Sequence, residues 1–213
     1  MESRQRQMIA GLVAVCAVAA DFRLIRQNWF REARGSTALL AAAVLIGLLR
    51  GNLDSAGLRI TPIQGWRYWI RATLLIGLIV AGILAVYGAV IVLSGHQPTI
   101  YSTPADAIFA RFLEMCVFAP ILEETIYRFV LCVPLAVLIS AHGTIAVSGF
   151  AFGLLHVVYG NPSPENLVAG FFLGWAFLKS GSILVPVILH SLGNLCALVG
   201  QVATWYWLQG SGA

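Results

Sequence analysis

Ala72-Thr-Leu-Leu-Ile-Gly-Leu-Ile-Val-Ala-Gly-Ile-Leu-Ala-Val-Tyr-Gly-Ala-Val-Ile-Val-Leu-Ser94 carries no charged residue. A helix needs about 20 apolar residues to cross the hydrocarbon of a bilayer, so this run is long enough alone. The last apolar run, 182–208, is the other of sufficient length. Shorter apolar runs occupy 8–20, 36–49, 107–122, 128–141, 144–159 and 166–178. They reach across only with flanking polar residues or as parts of a bundle interior. The runs predict an all-α, polytopic transmembrane helix bundle of about eight helices, with six or seven as the alternatives. It forms a single membrane domain over 1–213, with N-terminal helices in 1–100.

Composition leads to the same class. The chain is 59% hydrophobic and 10% charged, with a mean hydropathy of +0.85. Soluble domains are about 25% charged, and a soluble fold of this length could not enclose so much apolar surface. Met8 to Ala20 follows Arg4 and Arg6 like the core of a signal peptide. The succeeding Asp21-Phe-Arg-Leu-Ile-Arg26 lacks a small-residue cleavage site, which predicts an uncleaved first span. Cys16, Cys116, Cys132 and Cys196 lie within apolar runs without CxxC spacing and are expected to be buried free thiols.

Ten of the thirteen basic residues precede Ala72, and only Arg111, Arg128 and Lys179 follow it. Basic flanks of membrane spans mark cytoplasmic loops and anionic headgroups. Nucleic-acid binding is set aside, because no soluble domain carries the arginines. The loops around 21–35 and 50–71 each hold four arginines, so one span between them would violate the charge rule. Either the 36–49 run is re-entrant or interfacial, or the charge rule fails once here; 50–71 is placed on the cytoplasmic side. Gly95-His96-Gln97-Pro98 and Gly160-Asn161-Pro162-Ser163-Pro164 break the chain between runs, and Trp205-Tyr206-Trp207 reads as an interfacial anchor.

Charges inside a membrane cost from about 2.5 to more than 10 kcal/mol each, so they demand a partner or a role. Phe118-Ala-Pro-Ile-Leu-Glu-Glu-Thr-Ile-Tyr-Arg128 holds two carboxylates and a guanidinium within six residues. Glu124 and Arg128 are i and i+4 and share a helical face, which suits an ion pair. Glu123 points about 100° away, which assigns the chemistry to it. Phe152 and His156 repeat the i,i+4 spacing on another helix, and His190 and Asn194 on the last. One carboxylate and one imidazole can activate water, while a second imidazole and an amide stabilise an oxyanion. That is a sufficient set for amide hydrolysis. Arg111 with Glu114, at i and i+3, reads as a helical ion pair, Glu165 as a helix N-terminal charge, and His96 and His142 as interfacial.

These segments resemble the motifs of the CAAX-protease and bacteriocin-processing (CPBP, or Abi) family of intramembrane glutamic endopeptidases, over roughly 105–197. The family pattern is EExxxR, then FxxxH, then HxxxN or HxxxD. Here it is met by Glu123-Glu124…Arg128, Phe152…His156 and His190…Asn194, in that order. Ser180-Gly-Ser-Ile-Leu-Val-Pro-Val-Ile-Leu-His190 also looks like the family's approach to its last motif. Tyr127 stands where Phe is common, and Phe129 where Gly often follows the arginine. The resemblance implies an eight-helix fold that cleaves peptide bonds. In it Glu123 and His156 activate water, His190 and Asn194 form the oxyanion hole, and Glu124, Arg128 and Phe152 support them. It implies a membrane-anchored protein or peptide as substrate, cleaved in maturation or C-terminal sorting. The expected location is a prokaryotic inner, or plasma, membrane, with the lipid bilayer as solvent and no cofactor.

Three alternatives stay open on the residues. Glu123, His156 and His190 could hold zinc with a bound water, although there is no HExxH motif and Arg128 would repel a cation. The chain could also be a non-catalytic immunity or scaffold protein. A proton-coupled transporter would use the same ionisable groups, but the sequence has no inverted repeat.

Overall fold

The computed structural model describes residues 3–27, 31–49, 54, 56–95 and 101–210. His96, Gln97 and Pro98 of the expected break, and Arg50, lie outside the described residues. Seven helices account for the described chain. They are α1 Ser3–Arg26, α2 Arg31–Leu48, α3 Gly65–Leu93, α4 over 108–138, α5 Ala141–Val158, α6 Pro164–Ser180 and α7 Leu184–Gly210. The bundle is all-α, and α1, α3, α5 and α7 are long and apolar enough to cross a membrane. The protein is a multi-pass membrane protein.

The count is seven rather than eight because the runs 107–122 and 128–141 are one helical stretch. Helical states follow without a loop through Ile108–Phe112, Leu113–Phe118, Ala119–Glu124, Thr125–Val130 and Leu131–Leu138. The polar residues that look like punctuation in the sequence are inside the helix, with their charges satisfied there. Leu113–Phe118 and Thr125–Val130 are π-helical. Such turns re-aim side chains and occur often at functional sites. The expected arginine-rich loop at 21–35 is also mostly helix, since α1 runs to Arg26 and α2 begins at Arg31.

The chain forms two compact units, Met1–Gly65 with Ile121–Val187, and Trp66–Pro120 with Ile188–Ala213. In the first unit, α1 and α2 pack together, and each buries a stripe of mostly small residues. Ala10, Ala14 and Ala17 of α1 are buried, as are Ala38, Ala41 and Leu45 of α2. Both stripes follow the i, i+3, i+4 rhythm of one helical face. The stripe on α1 continues to buried Asp21, and that on α2 begins at buried Arg34.

Also in the first unit, α5 and α6 make the closest helix pair. A Cβ on Gly170 would lie 2.8 Å from the Gly149 carbonyl oxygen and 2.8 Å from Phe152 Cβ, so only glycine permits this approach. Ser140 caps α5 by accepting from the Gly143 N–H at 3.2 Å. Pro164 opens α6, and Gly181 ends it in the left-handed conformation, φ 60°. The α6–α7 turn is stitched to the segment before α3. Ser182 Oγ donates to the Arg59 carbonyl at 2.6 Å, Ile183 N–H to Gly57 O at 2.7 Å and Ile63 N–H to Ser180 O at 2.9 Å.

In the second unit, α3 buries only Trp69, as befits a helix solvated by hydrocarbon. Thr103 Oγ1 donates to Gln201 Oε1 of α7 at 2.8 Å. Of the cysteines, Cys116 and Cys132 are buried, whereas Cys16 and Cys196 are exposed. The expectation of burial holds for two of the four. The other two are on outer faces of membrane helices, where a thiol meets lipid as readily as protein. Tyr206 and Trp207 are exposed near the end of α7, where an interfacial anchor belongs.

Candidate active site

Glu124 and Arg128 form the ion pair that their spacing implies. Arg128 Nε is 2.8 Å from Glu124 Oε2, and both side chains are fully buried. The N–H does not point along that line, so the contact is charge pairing rather than a directed hydrogen bond. Arg128 Nη1 donates to Ser148 Oγ at 2.7 Å, and Ser148 Oγ donates in turn to the Tyr127 carbonyl at 3.0 Å. Cys132 Sγ meets the same carbonyl at 3.1 Å. The guanidinium also lies over the Phe152 ring, 4.8 Å from its centroid. Arg128 thereby joins α4 to α5, the helices that carry the first two motifs.

Phe152 is the hub of an aromatic cluster. Tyr127 meets it edge-on at 5.8 Å, and the His156 ring lies 4.6 Å away. His156 Nδ1 is 3.0 Å from the Phe152 carbonyl oxygen. A carbonyl only accepts, so in the neutral ring Nδ1 carries the proton and Nε2 presents the lone pair. Phe152 therefore sets both the tilt and the tautomer of the histidine one turn on.

Glu123 is buried, 4% exposed, and stands within electrostatic reach of Arg34 and Tyr127. Arg34 and Asp21 are residues that the motif pattern does not contain. Arg34 Nε is 2.7 Å from Asp21 Oδ1 and Nη2 is 3.2 Å from Oδ2, a bidentate pair. Asp21 Oδ2 also accepts from the Tyr127 hydroxyl at 3.0 Å. Arg34 Nη1 donates to the Tyr159 hydroxyl, one turn beyond His156. The hydroxyl that distinguishes Tyr127 from the common Phe is thus used on α1. The sequence carries a signal for these residues in the alanine stripes that lead to Asp21 and away from Arg34.

His190 and Asn194 belong to the second unit. Asn194 Nδ2 donates to the Met115 carbonyl at 2.6 Å, within the π-helical stretch Leu113–Phe118. Glu123, Glu124, Arg128, Phe152 and His156 all belong to the first unit. Among the described residues, neither unit gathers three His, Cys, Asp or Glu side chains as a metal site would. Arg111 and Glu114 pair at 3.3 Å on the surface, Glu165 is in the first turn of α6, and His142 is exposed at the start of α5. His96 lies outside the described residues.

The ordered motifs, set in membrane helices with a buried acid and a tautomer-fixed histidine, agree with the family comparison. Residues 105–196 match the Rce1-like family, type II CAAX prenyl endopeptidase. The Rce1-like region begins just before α4 and ends within α7, so it includes every motif residue named above. Asp21 and Arg34 fall outside it. The match supports a protease acting on a membrane-associated substrate in a bilayer. No curated protein and no solved structure matches the chain.

Proposed function

We propose that the protein is a glutamate-dependent, metal-independent intramembrane endopeptidase. Glu123 accepts a proton from water while His156, through Nε2, orients and polarises it. The water oxygen bonds to the scissile carbonyl carbon, and the carbonyl π electrons move to oxygen. His190 and Asn194, in the roles the family resemblance gives them, donate to that oxyanion. Collapse of the adduct breaks the C–N bond, and the proton held by Glu123 passes to the departing amine.

The observation that carries this reading is the Nδ1 contact of His156 with the Phe152 carbonyl, 3.0 Å, which leaves Nε2 as the ring's acceptor for a water. Burial of Glu123 beside the same aromatic cluster supports it. The substrate class is a membrane-anchored protein or peptide, cut in maturation or C-terminal sorting, in a prokaryotic plasma membrane. The family's printed description, a prenyl endopeptidase, makes a lipidated C-terminus one member of that class.

Co-expression with candidate membrane-anchored substrates tests the proposal. Wild-type protein is expected to shorten one of them, and His156→Ala to leave it whole while accumulating normally in the membrane. Equal cleavage by wild type and His156→Ala would refute it.

A further inference from the structure

Asp21 and Arg34 lie outside the family match, on α1 and α2, yet each touches a tyrosine within one helical turn of a motif residue. Asp21 Oδ2 takes the hydroxyl of Tyr127, which sits between Glu124 and Arg128. Arg34 Nη1 reaches the hydroxyl of Tyr159, three residues after His156. Between the two tyrosines stands the Phe152–His156 stack, with Tyr127 edge-on to Phe152 at 5.8 Å and Tyr159 6.4 Å from the His156 ring. The bidentate Asp21–Arg34 pair is buried, with side-chain exposures of 0% and 7%. Resting on the protease reading above, we propose that Asp21 and Arg34 are positioning residues of the active site, setting the separation between the Glu123 helix and the His156 helix through Tyr127 and Tyr159.

The physical argument is one of rigidity. A bidentate guanidinium–carboxylate pair has fixed geometry, unlike two loosely packed apolar side chains. Each partner carries one further hydrogen bond outward, to a different helix. The result is a strut of four polar groups, Tyr127–Asp21–Arg34–Tyr159, running alongside the apolar strut Tyr127–Phe152–His156. Buried charge pairs often add little stability compared with apolar replacements, and the best-attested reason for keeping one is geometric specificity. All four residues belong to the first compact unit.

The test uses the full chain in lipid nanodiscs. D21L/R34M removes both charges while keeping apolar bulk, an exchange that buried ion pairs often tolerate. The variant is expected to unfold thermally near wild type. A misplacement of the order of an ångström should cut kcat about a hundredfold on a membrane-anchored reporter peptide, with KM within about twofold. The side-chain 15N signals of His156, assigned by their loss in H156Q, are expected to shift or divide between tautomers. A folded D21L/R34M with wild-type kcat and unmoved His156 signals overturns the proposal. Should that variant fail to fold, Y127F and Y159F decide, since each removes a single oxygen. Each is expected to lower kcat about tenfold and to move the His156 signals, and wild-type behaviour in both overturns the proposal equally. The His156 signals need no substrate. An E123Q protein that still cleaves therefore removes the glutamate-dependent mechanism and leaves this inference to be judged on those signals.

Discussion

Arg128 holds Glu124 at 2.8 Å one helical turn away, and neither side chain reaches solvent. The pair is sealed further by Ser148 below the guanidinium and the Phe152 ring across it. Removing one partner of such a pair leaves an uncompensated buried charge, which costs about 3–5 kcal/mol. Arg128→Ala is therefore expected to lower both membrane expression and the thermal unfolding midpoint in detergent. Unchanged stability would mean that the pair is not closed in the membrane.

The α5–α6 contact makes a second prediction, independent of chemistry. A methyl at position 170 meets backbone at 2.8 Å and the Cβ of Phe152 at the same distance. Backbone cannot swing aside as a side chain can, so Gly170→Ala is expected to cost about 1–3 kcal/mol. Because the displaced neighbour is Phe152, the change should also reduce cleavage. Thermal unfolding and cleavage measured on the same preparation check both.

Asn194 separates a tie from a catalyst. Its amide donates to the Met115 carbonyl at 2.6 Å. Loss of that bond alone costs about 1 kcal/mol. Loss of an oxyanion donor lowers kcat by about 10² to 10³. Asn194→Ala is expected to show both effects. A loss of stability with kcat intact would confine Asn194 to the structural tie.

Metal dependence is directly measurable. The proposed proton transfers run through Glu123, with His156 orienting the water, so cleavage by purified protein should persist in excess chelator. Abolition by chelator and recovery with zinc would favour the metal-bound water instead.

Much of this was legible in the sequence, and the gaps have physical causes. The uncharged run from Ala72 and the long run into Trp207 are membrane helices because length and apolarity suffice there. The i,i+4 spacing of Glu124 and Arg128 likewise produced its ion pair. The eight runs become seven helices at Glu123–Arg128, where polar residues that look like breaks lie inside one helix and buried partners absorb their charge. Arg34 was hidden in the same way. Among Arg23, Arg26 and Arg31 it looks like one more headgroup-facing cation, but unlike a loop residue it is 6% exposed. Only the stripe of Ala38, Ala41 and Leu45 in phase with it shows which face it occupies. A charge in phase with small buried residues is the sign that separates it from its neighbours.

The most direct test is Glu123→Gln, which keeps the size of the side chain and removes its ability to take a proton. Wild type and variant are compared for cleavage of one membrane-anchored substrate, at matched expression and with matched unfolding midpoints. The account predicts that the variant is folded and leaves the substrate intact. Cleavage at the wild-type rate would contradict it.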